Sequence, residues 1–183
     1  MKLKLILLAG LFLCLGQSSK DERFEWRETR KLKWVDFKRP AQSGSDAAAM
    51  TSAGITFGYS LRQRVVNGPI IGFNTDVKAY FYPQKSWVKK GSNTPYILSH
   101  EQLHFDLTEL YVRKFRKRIT ELELSDNIKA ELKELQIQIN KELNEEQFLY
   151  DIQTNHSIRK DAQAEWSKKI KAELKEYEAF KSK

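Results

Sequence analysis

Residues 94–122 read TPYILSHEQLHFDLTELYVRKFRKRITEL. The hydroxyl of Thr94 can cap a helix, and Pro95 suits the first helical position, where its missing N–H costs nothing. Apolar residues then recur at helical spacing, so one continuous helix is predicted to about Leu122. Within it lies His100-Glu101-Gln102-Leu103-His104, an H-E-x-x-H motif. At 3.6 residues per turn, positions four apart sit about 40° apart on one face. Two imidazoles can then reach one metal ion from successive turns, with Glu101 beside the ion rather than on it. A carboxylate in that place can take a proton from a water at the metal. Zinc fits best, because imidazole suits it and it needs no redox partner.

A catalytic zinc needs a third protein ligand and an open position. The chain has three histidines, so His156 is the leading candidate. It falls at a polar break, Thr154-Asn155-His156-Ser157, from which a loop can aim a side chain at a helix packed alongside. Asp151 and Glu109 are weaker alternatives. Asp106 is a poor ligand, lying about 200° round the helix from His104, but it can orient other groups from behind.

On either side of the motif the chain changes character. Residues 17–90 are rich in strand and turn signals. Phe24, Trp26, Leu32 and Trp34 alternate with other residues in one run, Ile55, Phe57, Tyr59 and Leu61 in a second, and Val77, Ala79 and Phe81 in a third. These predict three or four half-buried strands. Pro40 to Ala53 reads as a loop, and Asn67-Gly68-Pro69 as a turn. From Thr94 to the end the pattern is helical. After Ser125, Ile128, Leu132, Leu135, Ile139 and Leu143 form one stripe, and after the break Ala162, Trp166, Ile170, Leu174 and Tyr177 form another. The fold class expected is α+β: a small N-terminal sheet, a motif-bearing helix and long C-terminal helices in a single domain over residues 17–183.

The chain has 183 residues, 31% of them charged, and a mean hydropathy of −0.61. That excludes a polytopic membrane protein and a fully disordered chain. One cysteine excludes a disulfide framework and any multi-cysteine metal site. Lys2 and Lys4 precede an apolar run from Leu5 to Leu15, too short to span a bilayer comfortably, with Cys14 and Gly16 as small residues before Gln17. Residues 1–16 are therefore read as a signal peptide, and the mature chain as periplasmic or secreted with no transmembrane span. A lipid anchor on Cys14 is the weaker reading, because Leu13 fits that cleavage poorly. Loss of residues 1–16 removes two lysines and no acid, lowering the formal charge of +8 by two.

The string His100-Glu101-Gln102-Leu103-His104-Phe105-Asp106, with Ser86-Trp87-Val88 ahead of it and Tyr150-Asp151 to His156 behind, resembles a bacterial family. That family is catalogued as a domain of unknown function and described as secreted zinc-dependent proteases. The resemblance spans about Thr51 to Ile170, and H-E-Q-x-H-F-D is far more specific than H-E-x-x-H alone. It implies a zincin-like fold and carries His100, His104 and Glu101 over directly. His156 matches the T-x-H part of the family pattern. The sequence departs from that pattern at Ser157, where the family has glycine.

The function expected is zinc-dependent hydrolysis of a peptide or protein, with Glu101 moving the proton. Tyr150, Tyr111 and Arg159 are candidates for steadying the oxyanion, by proximity in sequence. The alternative is a non-catalytic envelope protein that binds a partner through its C-terminal helices. Arg113, Lys114, Arg116, Lys117 and Arg118 read as a solvated helix edge rather than a nucleic-acid surface, given their interspersed apolar neighbours and the export signal. The four tryptophans read as core anchors. Oligomeric state is left open.

Overall fold

Residues 53–63 and 70–81 form the two arms of a hairpin. The computed structural model, which describes residues 22–66 and 68–182, has strands at Phe24–Glu25 (β1), Ala49–Met50 (β2), Ala53–Gln63 (β3), Ile70–Phe81 (β4) and Trp87–Val88 (β5). In antiparallel register, Ile55 pairs with Ala79, Phe57 with Val77 and Leu61 with Phe73. The predicted parity is therefore the real one, with Val77, Ala79 and Phe81 buried on the inner face. β1 pairs with the far edge of β4, giving the order β1-β4-β3, while β2 and β5 form a separate two-stranded ribbon. The predicted signal peptide and Asn67 of the predicted turn lie outside the described residues.

Three helices follow, at Pro95–Thr120 (α1), Ile128–Thr154 (α2) and Lys160–Glu176 (α3). α1 starts where its cap residues place it: Thr94 Oγ1 accepts a hydrogen bond from Ile97 N at 3.2 Å, and Pro95 stands at the first turn. The architecture is α+β, with α1 central. β3 and β4 pack on one side of it, and α2 and α3 on the other. Phe57 meets Phe115 and Phe81 meets Phe105 on the sheet side. Ile128, Leu132 and Ile139 of α2, with Trp166 and Ile170 of α3, fill the helical side. The predicted stripes of both helices are thus their buried faces.

Several local expectations are corrected. Leu32 and Trp34 do not continue a strand; Trp34–Asp36 is a 3₁₀ turn in which Lys33 N donates to Asp36 Oδ2 at 2.8 Å. The predicted loop from Pro40 to Ala53 contains β2, and β4 begins seven residues before the predicted Val77. The basic edge of α1 is largely internal rather than solvated. Arg113 is buried between Glu109, Glu178 and the Leu174 carbonyl, Lys114 pairs with Glu173, and Arg118 makes a two-pronged bond to Glu142. Arg116 donates to the Phe180 and Val77 carbonyls. Trp26, Trp87 and Trp166 are buried as expected. No helix among the described residues is long and apolar enough to cross a membrane.

Phe81 joins β1, β4 and α1 through ring contacts to Phe24 and Phe105. Its replacement by alanine should lower unfolding free energy by about 3–5 kcal/mol in urea titrations. Val66→Ala at the exposed hairpin end should change it by no more than about 0.5 kcal/mol.

Candidate metal centre

The i, i+4 spacing does what helical geometry requires of it. His100 and His104 project from successive turns of α1 with their Nε2 atoms 3.2 Å apart and their rings nearly perpendicular. Asp151 reaches in from α2, and its Oδ1 lies 3.1 Å from each Nε2. Among the described residues these three side chains form the group whose donor atoms converge closely enough for one metal ion. Tyr150 backs the two histidines, with its ring stacked on His100 at 4.5 Å and set edge-on to His104 at 4.9 Å. The three donors, Glu101 and His156 line a cleft of about 330 Å³, with Ala47–Thr51 along one wall and Leu143 and Gln147 along another.

Glu101 is 3% exposed, and its Oε2 is buried without a hydrogen-bond partner. A buried carboxylate oxygen left in this state costs free energy unless something else in the cleft engages it. The Nδ1 atoms of His100 and His104 face the carbonyl oxygens of Gln163 and Gln147, and both Nε2 atoms converge with the Asp151 oxygen on one point. Two imidazole nitrogens and a carboxylate oxygen are the ligand types a zinc ion takes, and they leave positions open. The residues present fit a divalent cation.

With only protons available, the cluster shares them. Burial opposes charge on His104, but the hydrogen bond and charge of Asp151, with Glu101 beyond, hold its pKa above the ordinary histidine value. Burial likewise opposes charge on Asp151, yet hydrogen bonds from both histidines hold it well below the usual carboxylate range.

The sequence placed His156 third and Asp151 lower, whereas in the structure Asp151 stands at the centre. The His156 side chain is 61% exposed at the rim, with Nδ1 3.7 Å from Asp151 Oδ1. It rides on an unusual turn, because Asn155, His156 and Ser157 all have positive φ, at 48°, 50° and 74°. Ser157 therefore adopts the left-handed conformation that the glycine of the family pattern would adopt freely. Tyr150 is directed beneath the histidines, its hydroxyl 3.5 Å from the His100 carbonyl and its pKa raised by burial. Tyr111 is buried near Glu142 and Glu146 in the middle of α2, and burial raises its pKa too. Arg159 is exposed, and none of these three is among the residues lining the cleft. Asp106 works behind the motif, where its Oδ1 accepts from Trp26 Nε1 at 2.7 Å and from Gln102 Nε2 at 2.8 Å. Glu109 is bound to Arg113, and burial raises its pKa.

Sequence reasoning missed Gln147 and Gln163. Gln147 was legible in principle, since Leu143, Gln147, Asp151 and Thr154 recur at helical spacing on the α2 face turned to α1. Comparison with known proteins adds a family but no activity. The model of a family of bacterial proteins of unknown function, DUF922, matches residues 30–157, most of the chain, and the chain belongs to that family. Neither a curated protein nor a solved structure matches it.

Two measurements follow from the geometry. Replacing Ser157 with glycine should raise stability by about 0.5–1 kcal/mol, because the left-handed strain it relieves exceeds the added freedom of the unfolded chain. The second concerns pH in chelator-treated protein. A carboxylate with a lowered folded pKa contributes fully above its unfolded value of about 3.9, and a histidine with a raised one contributes fully below about 6.5. The His104–Asp151 pair should therefore add most stability between about pH 4 and 6.5, declining on both sides. Asp151→Asn should flatten that part of the profile in denaturation measured across pH.

Proposed function

We propose that this DUF922 protein is an exported zinc-dependent metallopeptidase of zincin-like architecture. The observation that carries the reading is the convergence of His100 Nε2, His104 Nε2 and Asp151 Oδ1 beside the buried, unpartnered Oε2 of Glu101. A binding module has no need of a dry carboxylate next to two paired imidazoles. In this reading His100, His104 and Asp151 hold the ion, and His156 at the rim is available as a further donor.

Zinc held there would supply a Lewis acid that polarises a scissile carbonyl and acidifies water. The remaining work belongs to the chain. Glu101 Oε2 accepts the proton of the attacking water and passes it to the leaving amine nitrogen. Tyr150 and the two glutamines keep the imidazoles in place. β2 pairs with β5 and runs along the cleft wall, where an extended peptide can add to it by backbone pairing. Residues 1–16 direct export in this reading.

A second reading has one observation in its favour. Phe148, Leu149 and Ile152 on α2, with Ile158 just beyond, are large apolar side chains left exposed. Such a patch suits a partner-binding envelope protein.

The experiment is a digest of a peptide library by zinc-loaded protein, beside Glu101→Gln. Cleavage is expected from the parent protein, and the variant should retain zinc while losing at least about 100-fold in rate. Zinc-loaded protein that cleaves no peptide would overturn the hydrolytic reading. If Phe148→Ser then abolished a cellular phenotype that Glu101→Gln left intact, the partner-binding reading would replace it.

A further inference from the structure

α2 buries one side against α1 and α3, through Leu132, Leu135, Ile139 and Leu143. Helical geometry puts Ile137, Phe148 and Ile152 within about 60° of one another, on the side turned away from that stripe. They are 53%, 67% and 54% exposed, where the outer face of a packed helix is ordinarily polar. On the same face, toward the N-terminus from Phe148, runs an open groove whose lining includes Ile137, Asn140, Lys141 and Asn144. Those positions, i, i+3, i+4 and i+7, are the four that make a hole for a knob when two helices pack side by side. Phe148 has the size and exposure of such a knob. It stands beside the hole on the same helix, so only the Phe148 of another molecule can fill it.

We propose that this face of α2 docks a second copy of the chain, α2 against α2 in antiparallel pairing, about a two-fold axis that passes near Asn144 and Glu145. The order of knob and hole sets the direction. In an antiparallel pair Phe148 of each copy enters the hole around Lys141 of the other, and Ile137 of each lies opposite Ile152 of the other. One register satisfies both contacts, because Ile137 and Ile152 share their midpoint in the sequence with Lys141 and Phe148. In a parallel pair the hole would lie about seven residues, roughly 11 Å, N-terminal to the knob. Filling one hole would then slide the copies past each other and leave the second hole empty, an open contact rather than a closed one. Charge agrees with the antiparallel register. Lys141 and Glu145 are exposed and pair within one chain at 3.9 Å. Across the axis the two Glu145 side chains approach each other and are bracketed by the two Lys141, four charges that sum to zero. Each lysine also lies beside the Phe148 ring of the second copy, where a cation is favourable. Asn144 lines both this groove and the metal cleft, so the contact runs along one edge of that cleft.

The pairing depends neither on the metal nor on peptide hydrolysis. Sedimentation velocity over a dilution series should show a reversible dimer. Phe148→Asp should raise its dissociation constant at least about 30-fold, with the helix signal in circular dichroism unchanged. Lys141→Glu, which gathers four carboxylates around the axis, should weaken the dimer as well. Direction is read by disulfide cross-linking in protein carrying Cys14→Ser. Ile137→Cys mixed with Ile152→Cys should give cross-linked dimers, and neither variant should cross-link alone. Protein that stays monomeric at every concentration would overturn the proposal and leave this face of α2 to a different protein. A dimer unaffected by Phe148→Asp, or Ile137→Cys that cross-links to itself, would overturn it too.

Discussion

α1 is covered on both sides, by the hairpin and by two helices, yet it carries His100, Glu101, His104, Glu109 and Arg113 along its length. Burying such groups is unfavourable unless each finds a partner, so the packing of every neighbouring element is also a solution to a polar problem on this helix. The motif end is served by Asp151, Gln147 and Gln163. The C-terminal end is served by Glu178 and the Leu174 carbonyl, which meet Arg113. Between them, Gln102 and Asp106 hold the N-terminal segment through Leu32 and Trp26. Glu101 Oε2 and Glu109 Oε2 are exceptions, and only the first of these two side chains lines the cleft.

This arrangement explains which parts of the molecule could be read without coordinates. Helix boundaries are set by local chemistry, and Thr94, Pro95 and the apolar stripes of α2 and α3 announce them. Strand parity is equally local, which is why Ile55 and Phe57 could be placed on the inner face. Two-residue strands such as β2 and β5 are too short to show any alternation. The early start of β4 was hidden because Gly72 and Asn74 weaken its pattern, although Phe73 keeps the register opposite Leu61. Trp34 failed as a strand residue because the Asp36 carboxylate accepts from Lys33 N and closes a turn there.

The candidate site divides in the same way. His100, Glu101 and His104 lie on two successive turns of one helix, so their mutual placement needs no tertiary information. Asp151 and the two glutamines reach the site only through the docking of α2 and α3. Sequence spacing can say that Gln147 and Asp151 share a face of α2, but not that this face meets the histidines rather than another stretch of α1. His156 drew attention by residue type, whereas Asp151 earned its central place through the buried stack of Tyr150 on His100, which fixes how deep α2 sits.

The wide separation of Asp151 from the two histidines along the chain has a thermodynamic consequence. His104 and Asp151 are 47 residues apart, so an unfolded chain holds them together only at a large cost in loop entropy. Any cation captured at this point would bind the folded form almost alone. Occupancy then becomes a source of conformational stability, about 4 kcal/mol when free ion stands at 1,000 times its dissociation constant. The lifetime of such a protein would follow the supply of the ion in its surroundings, and starvation for metal would register first as susceptibility to proteolysis.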